Sequence, residues 1–118
     1  MFGKVMENYF GKVTYDMRMD SSGNYNSTHY ESGRMISDII YVADVTNLKI
    51  ETDAPTSYYI GYDSDGQYVW QFDTFTENLK ATWHRPIIFI RVSASYTDKT
   101  YYRVINADTD EVLFEWRK

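Results

Sequence analysis

The chain contains no cysteine and only two histidines in 118 residues. Without thiols it has neither disulfides nor thiolate metal sites, and its redox compartment is left open. There is no cysteine nucleophile, and His29 and His84 stand in no recognisable nucleophile elbow. Basic charge is also scarce. Twelve Lys and Arg face 17 Asp and Glu, for a net charge of −5, and the only local basic groups are His84-Arg85 and Arg117-Lys118. Sequence-independent binding to nucleic acid needs clustered cations against phosphates, so no nucleic-acid partner is expected. No apolar run approaches the length of a membrane span, which argues against a membrane partner. Met1 through Asn8 lacks the apolar centre of a signal peptide. If the chain is native from Met1, an exposed role then calls for release by lysis, as for a virion component, or for truncation from a longer protein.

Aromatic residues are plentiful: 12 Tyr, 6 Phe and 3 Trp make up 18% of the chain. So many rings do not all fit in one small core. Tyr suits half-exposed strands, subunit interfaces and polar ligand grooves alike, because it carries an apolar face and a polar tip. Two segments share the pattern Asp-Ser-x-Gly-x-Tyr, at 20–25 and 63–68. In each, Asp opens a turn, Gly is expected in the left-handed position, and strand residues flank it.

The remaining pattern is one of short strands. Val13, Tyr15 and Met17 alternate with Thr14, Asp16 and Arg18, which predicts a half-buried strand with the first three on one face. Residues 21–33 read as a long polar surface loop and a first candidate for a mobile or functional segment. Leu48 and Ile50 point inward while Lys49 and Glu51 point out. In the 58–72 hairpin, Tyr58, Ile60 and Tyr62 share one face, with Tyr59 and Gly61 on the other. Residues 76–79 suit a helical turn, though 74–76 would also serve as loop or strand. The apolar run Ile87 to Val92 reads as a central buried strand, and 101–105 and 112–116 as a final hairpin. One domain is expected: an all-β antiparallel sandwich of jelly-roll type, with about eight short strands and little helix. Residues 1–18 form an N-terminal arm or first strand, and 19–118 the sandwich domain. The arm carries the repeat Phe2-Gly3-Lys4-Val5 and Phe10-Gly11-Lys12-Val13. All five Met, at 1, 6, 17, 19 and 35, lie in the first third, which fits either an N-terminal docking region or core filling.

Residues 19–95 also resemble a β-sandwich module of phage tail fibre, baseplate and receptor-binding proteins of Gram-positive hosts. The resemblance covers about two-thirds of the chain. It rests on the order of Met19-Asp20-Ser21-Ser22-Gly23-Asn24-Tyr25, Gly33-Arg34-Met35-Ile36-Ser37-Asp38-Ile39-Ile40, Leu48-Lys49-Ile50, Tyr59 to Val69, and Ile88-Phe89-Ile90-Arg91-Val92. The sequence departs from the module at Trp83-His84-Arg85, where small polar residues are usual, and at the N-terminal repeat. Such modules resemble carbohydrate-binding jelly rolls and serve in attachment to cell-wall saccharides or as spacers in trimeric or other symmetric assemblies. The resemblance implies both uses without choosing between them, and the reading taken is a non-enzymatic virion component that binds a surface glycan. The alternative is a structural virion subunit, such as a capsid decoration or baseplate protein, that binds only other proteins and forms a homo-oligomer, with a trimer as one form.

Candidate chemistry follows from the residues. Asp63-Ser64-Asp65-Gly66 has the start of a calcium loop without its later ligands, so a hairpin turn is the better reading and no metal or cofactor is expected. The 17 acids supply many carboxyl pairs without identifying a glycosidase pair. Sugar binding needs flat aromatic faces beside planar polar groups. Trp70, Trp83, His84, Arg85, Arg91 and Tyr68 are the candidates. The competing reading makes Trp70 and Trp83 core or interface rings and Arg91 half of a surface ion pair.

Overall fold

The computed structural model describes residues 12–53, 57–81, 83–98 and 100–118, and within them the chain is all β. Its strands are β1 (Val13–Met19), β2 (Thr28–Ser37), β3 (Ile40–Tyr41), β4 (Asn47–Thr52), β5 (Ser57–Tyr62), β6 (Tyr68–Phe72), β7 (Thr76–Asn78), β8 (Phe89–Ser95), β9 (Tyr101–Asn106) and β10 (Glu111–Arg117). They form two antiparallel sheets. The first runs β1-β2-β8-β5-β6, with β3 continuing β2 along β8, and the second runs β10-β9-β4-β7. Between β3 and β5, and again between β6 and β9, the chain passes from sheet to sheet, which interlaces the two layers of a β-sandwich. The Phe-Gly-Lys-Val repeat begins outside the described residues, as do Met1 and Met6; β1 occupies 13–19.

Period-two alternation accounts for the core between the sheets. Ile90, Val92 and Ala94 of β8 face Leu48 and Ile50 of β4, Tyr102 and Val104 of β9, and Phe114 and Trp116 of β10 in one buried cluster. Each such side chain contributes roughly 1.5–3 kcal/mol by leaving water. The expected central strand is therefore there, in the middle of the first sheet, and Lys49 and Glu51 lie outside as expected. Residues 76–78 prove to be strand, paired with β4.

A second apolar cluster lies on the other face of the first sheet. Met19, Ile36, Ile60, Tyr62 and Phe89 are buried there, with Tyr25, Tyr58 and Tyr68 packed against them. Tyr58, Ile60 and Tyr62 do share a face, but it is this outer one; Tyr59 belongs to the core between the sheets. The turn between β1 and β2 folds over the outer face and covers it.

Two expectations near the N-terminus fail for one reason. Asp16 adopts φ 61° and Gly33 φ 82°, and the β1–β2 register shifts between Tyr15 and Met17. A bulge of this kind moves the following side chains to the opposite face. Val13 consequently packs into the core between the sheets and Met17 onto the outer cluster, instead of sharing a face. The same pairing extends β2 back to Thr28, so the connection is only 20–27 and not a loop through residue 33.

Candidate functional site

The two Asp-Ser-x-Gly-x-Tyr turns, 43 positions apart in sequence, touch in space. The Tyr25 N–H donates to the Gly66 carbonyl at 3.0 Å, and the Tyr25 ring meets Phe89 edge-on at 5.6 Å. Gly66 sits at φ 77° and lies so close under Tyr25 that a Cβ would fall 2.7 Å from the ring, so this position needs glycine twice over. Gly23 does not take the left-handed conformation expected of it; positive φ among the glycines is confined to Gly33 and Gly66 in the described residues.

Asp63 holds the second turn. It is buried, and its Oδ1 accepts the N–H of Asp65 at 2.9 Å and of Gln67 at 3.0 Å. Its Oδ2 meets Arg85 Nη1 at 2.8 Å, and Arg85 Nη2 donates to the Tyr68 carbonyl. Arg85 thus ties segment 83–88 to the β5–β6 turn. Its guanidinium is committed to Asp63 and the backbone, a positioning task rather than a free ligand contact.

That tie places the tryptophans. Trp83 sits edge-on to buried Phe72 at 5.3 Å, and Phe72 stacks on Tyr59 at 5.0 Å. Trp70, on edge strand β6, stacks on Trp83 with centroids 6.0 Å apart and planes 28° from parallel. The result is a row of rings running from the core to solvent, in which Trp83 is half-buried and Trp70 remains 50% exposed. Beside it, Leu79, Lys80, Ala81, Trp83, His84 and Ile87 help line a recess of about 260 Å³. The Trp83 indole N–H and the Arg85 Nε are buried with no hydrogen-bond partner among the described residues. His84 is exposed at the mouth of the recess.

The six candidate residues therefore divide. Trp70, Trp83, His84 and Arg85 gather at the β6 edge. Tyr68 is half-buried against the outer cluster, and what it gives to that edge is its backbone carbonyl. Arg91 lies apart on the outer face, where its Nε donates to the Ser37 carbonyl at 2.8 Å and its Nη1 to the Tyr25 carbonyl. It is spent on pinning the covering turn to the sheet. Burial lowers the Arg91 pKa from its ordinary value, against a smaller opposing influence from Tyr62 and Asp38. Among the described residues no acid pairs with it, and the bonds that hold it run to backbone carbonyls instead of the surface ion pair considered for it. The sequence offered no means of finding the Tyr25–Gly66 contact, since a pattern repeat does not say that its two copies meet.

The fold and this edge define a β-sandwich with a half-exposed tryptophan pair supported from its core. Compared with family models, curated proteins and solved structures, the chain matches none.

Proposed function

We propose that this chain is a non-enzymatic binding domain of a phage virion, with Trp70 as the platform for a saccharide of the host surface. The observation that carries the binding reading is the Trp70–Trp83 stack: half of Trp70 is left in water on a rigid support. A sugar ring presents C–H groups to such a face, and the adjoining recess supplies polar groups at Lys80 and His84 for its hydroxyls. A fixed ring costs little conformational entropy on binding, which favours a preformed site over a mobile aromatic. The virion assignment rests on the sequence resemblance of residues 19–95.

The test is a pull-down of the purified chain on Gram-positive cell walls, with mass determination by light scattering alongside. Retention that disappears in a folded Trp70→Ala variant supports the reading. Retention unaffected by Trp70→Ala removes Trp70 as the platform. A second reading, a structural subunit that binds other virion proteins, is favoured by the aromatic rings left outside the site: Tyr30 is 73% exposed and Tyr41 71%. Rings of this kind are enriched at protein interfaces. No retention together with a defined oligomer would select it.

A further inference from the structure

The bulge between β1 and β2 builds a second concave surface. On the outer face of the first sheet, Arg18, Ser21, Glu31, Arg34, Tyr58 and Gln71 line an open groove of about 560 Å³. Tyr15 pairs with Met35 and Met17 with Tyr30, so Asp16 alone stands opposite segment 31–34. Asp16 is held at its left-handed φ by two bonds: its Oδ1 accepts the Gly33 N–H at 2.9 Å and the Tyr96 hydroxyl at 2.7 Å. Bulges re-aim side chains, and a non-glycine residue in this conformation persists only where its surroundings hold it there.

The side chains so aimed are charged. The Glu31 carboxylate lies between Arg18, at 3.5 Å, and Arg34, at 3.6 Å. Arg34 is fixed in plane, with its guanidinium 5.1 Å above the Tyr58 ring and its Nε bonded to Ser93 Oγ at 3.3 Å. Neither arginine's Nη atoms reach a hydrogen-bond acceptor among the described residues. Asp20, the next acid along, is turned toward His29 at 3.7 Å. One carboxylate facing two guanidiniums leaves a positive charge in the groove, on a chain whose net charge is −5. Guanidinium forks match carboxylate and phosphate geometry, and Gln71 and Ser21 offer both donors and acceptors nearby.

We propose that this groove binds a single oxyanion, a carboxylate or a phosphate, carried on a hydroxylated chain. Arg18 and Arg34 hold the oxyanion in competition with Glu31, and Gln71 and Ser21 take the neighbouring hydroxyls. The site is separate from Trp70 and stands or falls without it.

The test is titration of the full chain with glucuronate, with glycerol phosphate and with neutral glucose, followed by NMR of the arginine side-chain N–H groups at low and raised salt. Both anions should shift Arg18 and Arg34 while glucose does not, with binding weakened by salt; the tighter of the two anions tells a carboxylate source from a phosphate one. Arg18→Gln should weaken binding about tenfold, as expected for loss of a charge-assisted contact. Glu31→Gln should strengthen it several-fold by removing the competing carboxylate, an outcome that damage to the fold does not mimic. Trp70→Ala should leave it unchanged. No response to either anion at low salt, a folded Glu31→Gln variant that binds no tighter, or loss of anion binding in folded Trp70→Ala would overturn the proposal.

Discussion

Much of the outward face of the first sheet, beyond the charged groove at Arg18 and Arg34, is apolar and covered: Ile36, Ile60, Tyr62 and Phe89 lie buried beneath the turn that carries Tyr25. The outward face of the second sheet is a row of alternating ions. Lys49 meets Glu51 at 3.3 Å, Glu51 meets Arg103 at 3.3 Å, and Glu115 takes Arg103 at 3.1 Å and Arg117 at 2.6 Å. A sheet with water on one side keeps an apolar and polar alternation, as β4 does over residues 48–51 and β9 over 101–104. A sheet buried on both faces loses it, and every connection that crosses its surface becomes part of the packing. The two candidate sites both adjoin the first sheet, where extra chain is available to shape an edge or a groove. On the second sheet the outer ions are spent on one another.

The largest test of this contrast is Phe89→Ala. Phe89 stacks on Tyr62 at 5.3 Å under Tyr25, so if the outer cluster is a true core the substitution should cost about 3–5 kcal/mol in urea unfolding. A loss below about 1 kcal/mol would reduce the cluster to surface decoration. Next is Gly66→Ala, which combines an unfavourable φ with a collision against Tyr25. It should cost about 1–3 kcal/mol, and a Tyr25→Ala background should recover part of that, leaving only the backbone cost. Denaturant midpoints for the four members of the cycle measure it.

On the second sheet the effects should be smaller and salt-dependent. Arg103→Ala leaves Glu115, whose side chain is only 5% exposed, with Arg117 as its single cation, and should cost about 1–2 kcal/mol. Lys49→Ala, on an exposed pair, should cost less than about 0.5 kcal/mol. Equal losses from both would mean that the row of ions acts only as a solvated surface.

The smallest effect is a pH dependence. The Gly33 N–H, then the Tyr96 hydroxyl, hold the Asp16 carboxylate below its ordinary pKa. A lowered folded-state pKa means that this contribution is present above the ordinary carboxylate range and is lost as the pH falls through the folded value. Asp16→Asn should therefore flatten the acid limb of the stability curve slightly while leaving neutral stability nearly unchanged. An acid limb identical to that of the parent chain would show that the bulge does not depend on the charge.

Where alternation was intact, the sequence was readable. β4, the face-sharing within β5, the central β8 and the final hairpin follow from period-two patterns and turn residues. Arg91 was read as a ligand candidate or half of a surface ion pair, and its real partners escaped that reading because they are backbone carbonyls of Ser37 and Tyr25 that no pattern announces. The bulge defeated the reading of β1, since a change of face at Asp16 has no signature in residue types alone. The tryptophans could be nominated from composition and position. That Trp70 stands half in water while Trp83 backs it depends on the Asp63–Arg85 pair, which joins residues 22 positions apart.

The hydrogen bond from the Trp116 indole to the Tyr15 hydroxyl spans 101 positions, and the Tyr96–Asp16 bond spans 80. Such closures set a timetable for synthesis. Until β8 has been made, the first sheet exists only as two separate ribbons, β1–β2 and β5–β6. Until β9 follows, β4 has no neighbour but the three-residue β7. A nascent chain must therefore carry its apolar strands as separate two-stranded ribbons until β8 and β9 arrive and then close in milliseconds to seconds, the pace of β topologies dominated by distant pairings. Its period of greatest exposure to aggregation falls before β8 and β9 have left the ribosome.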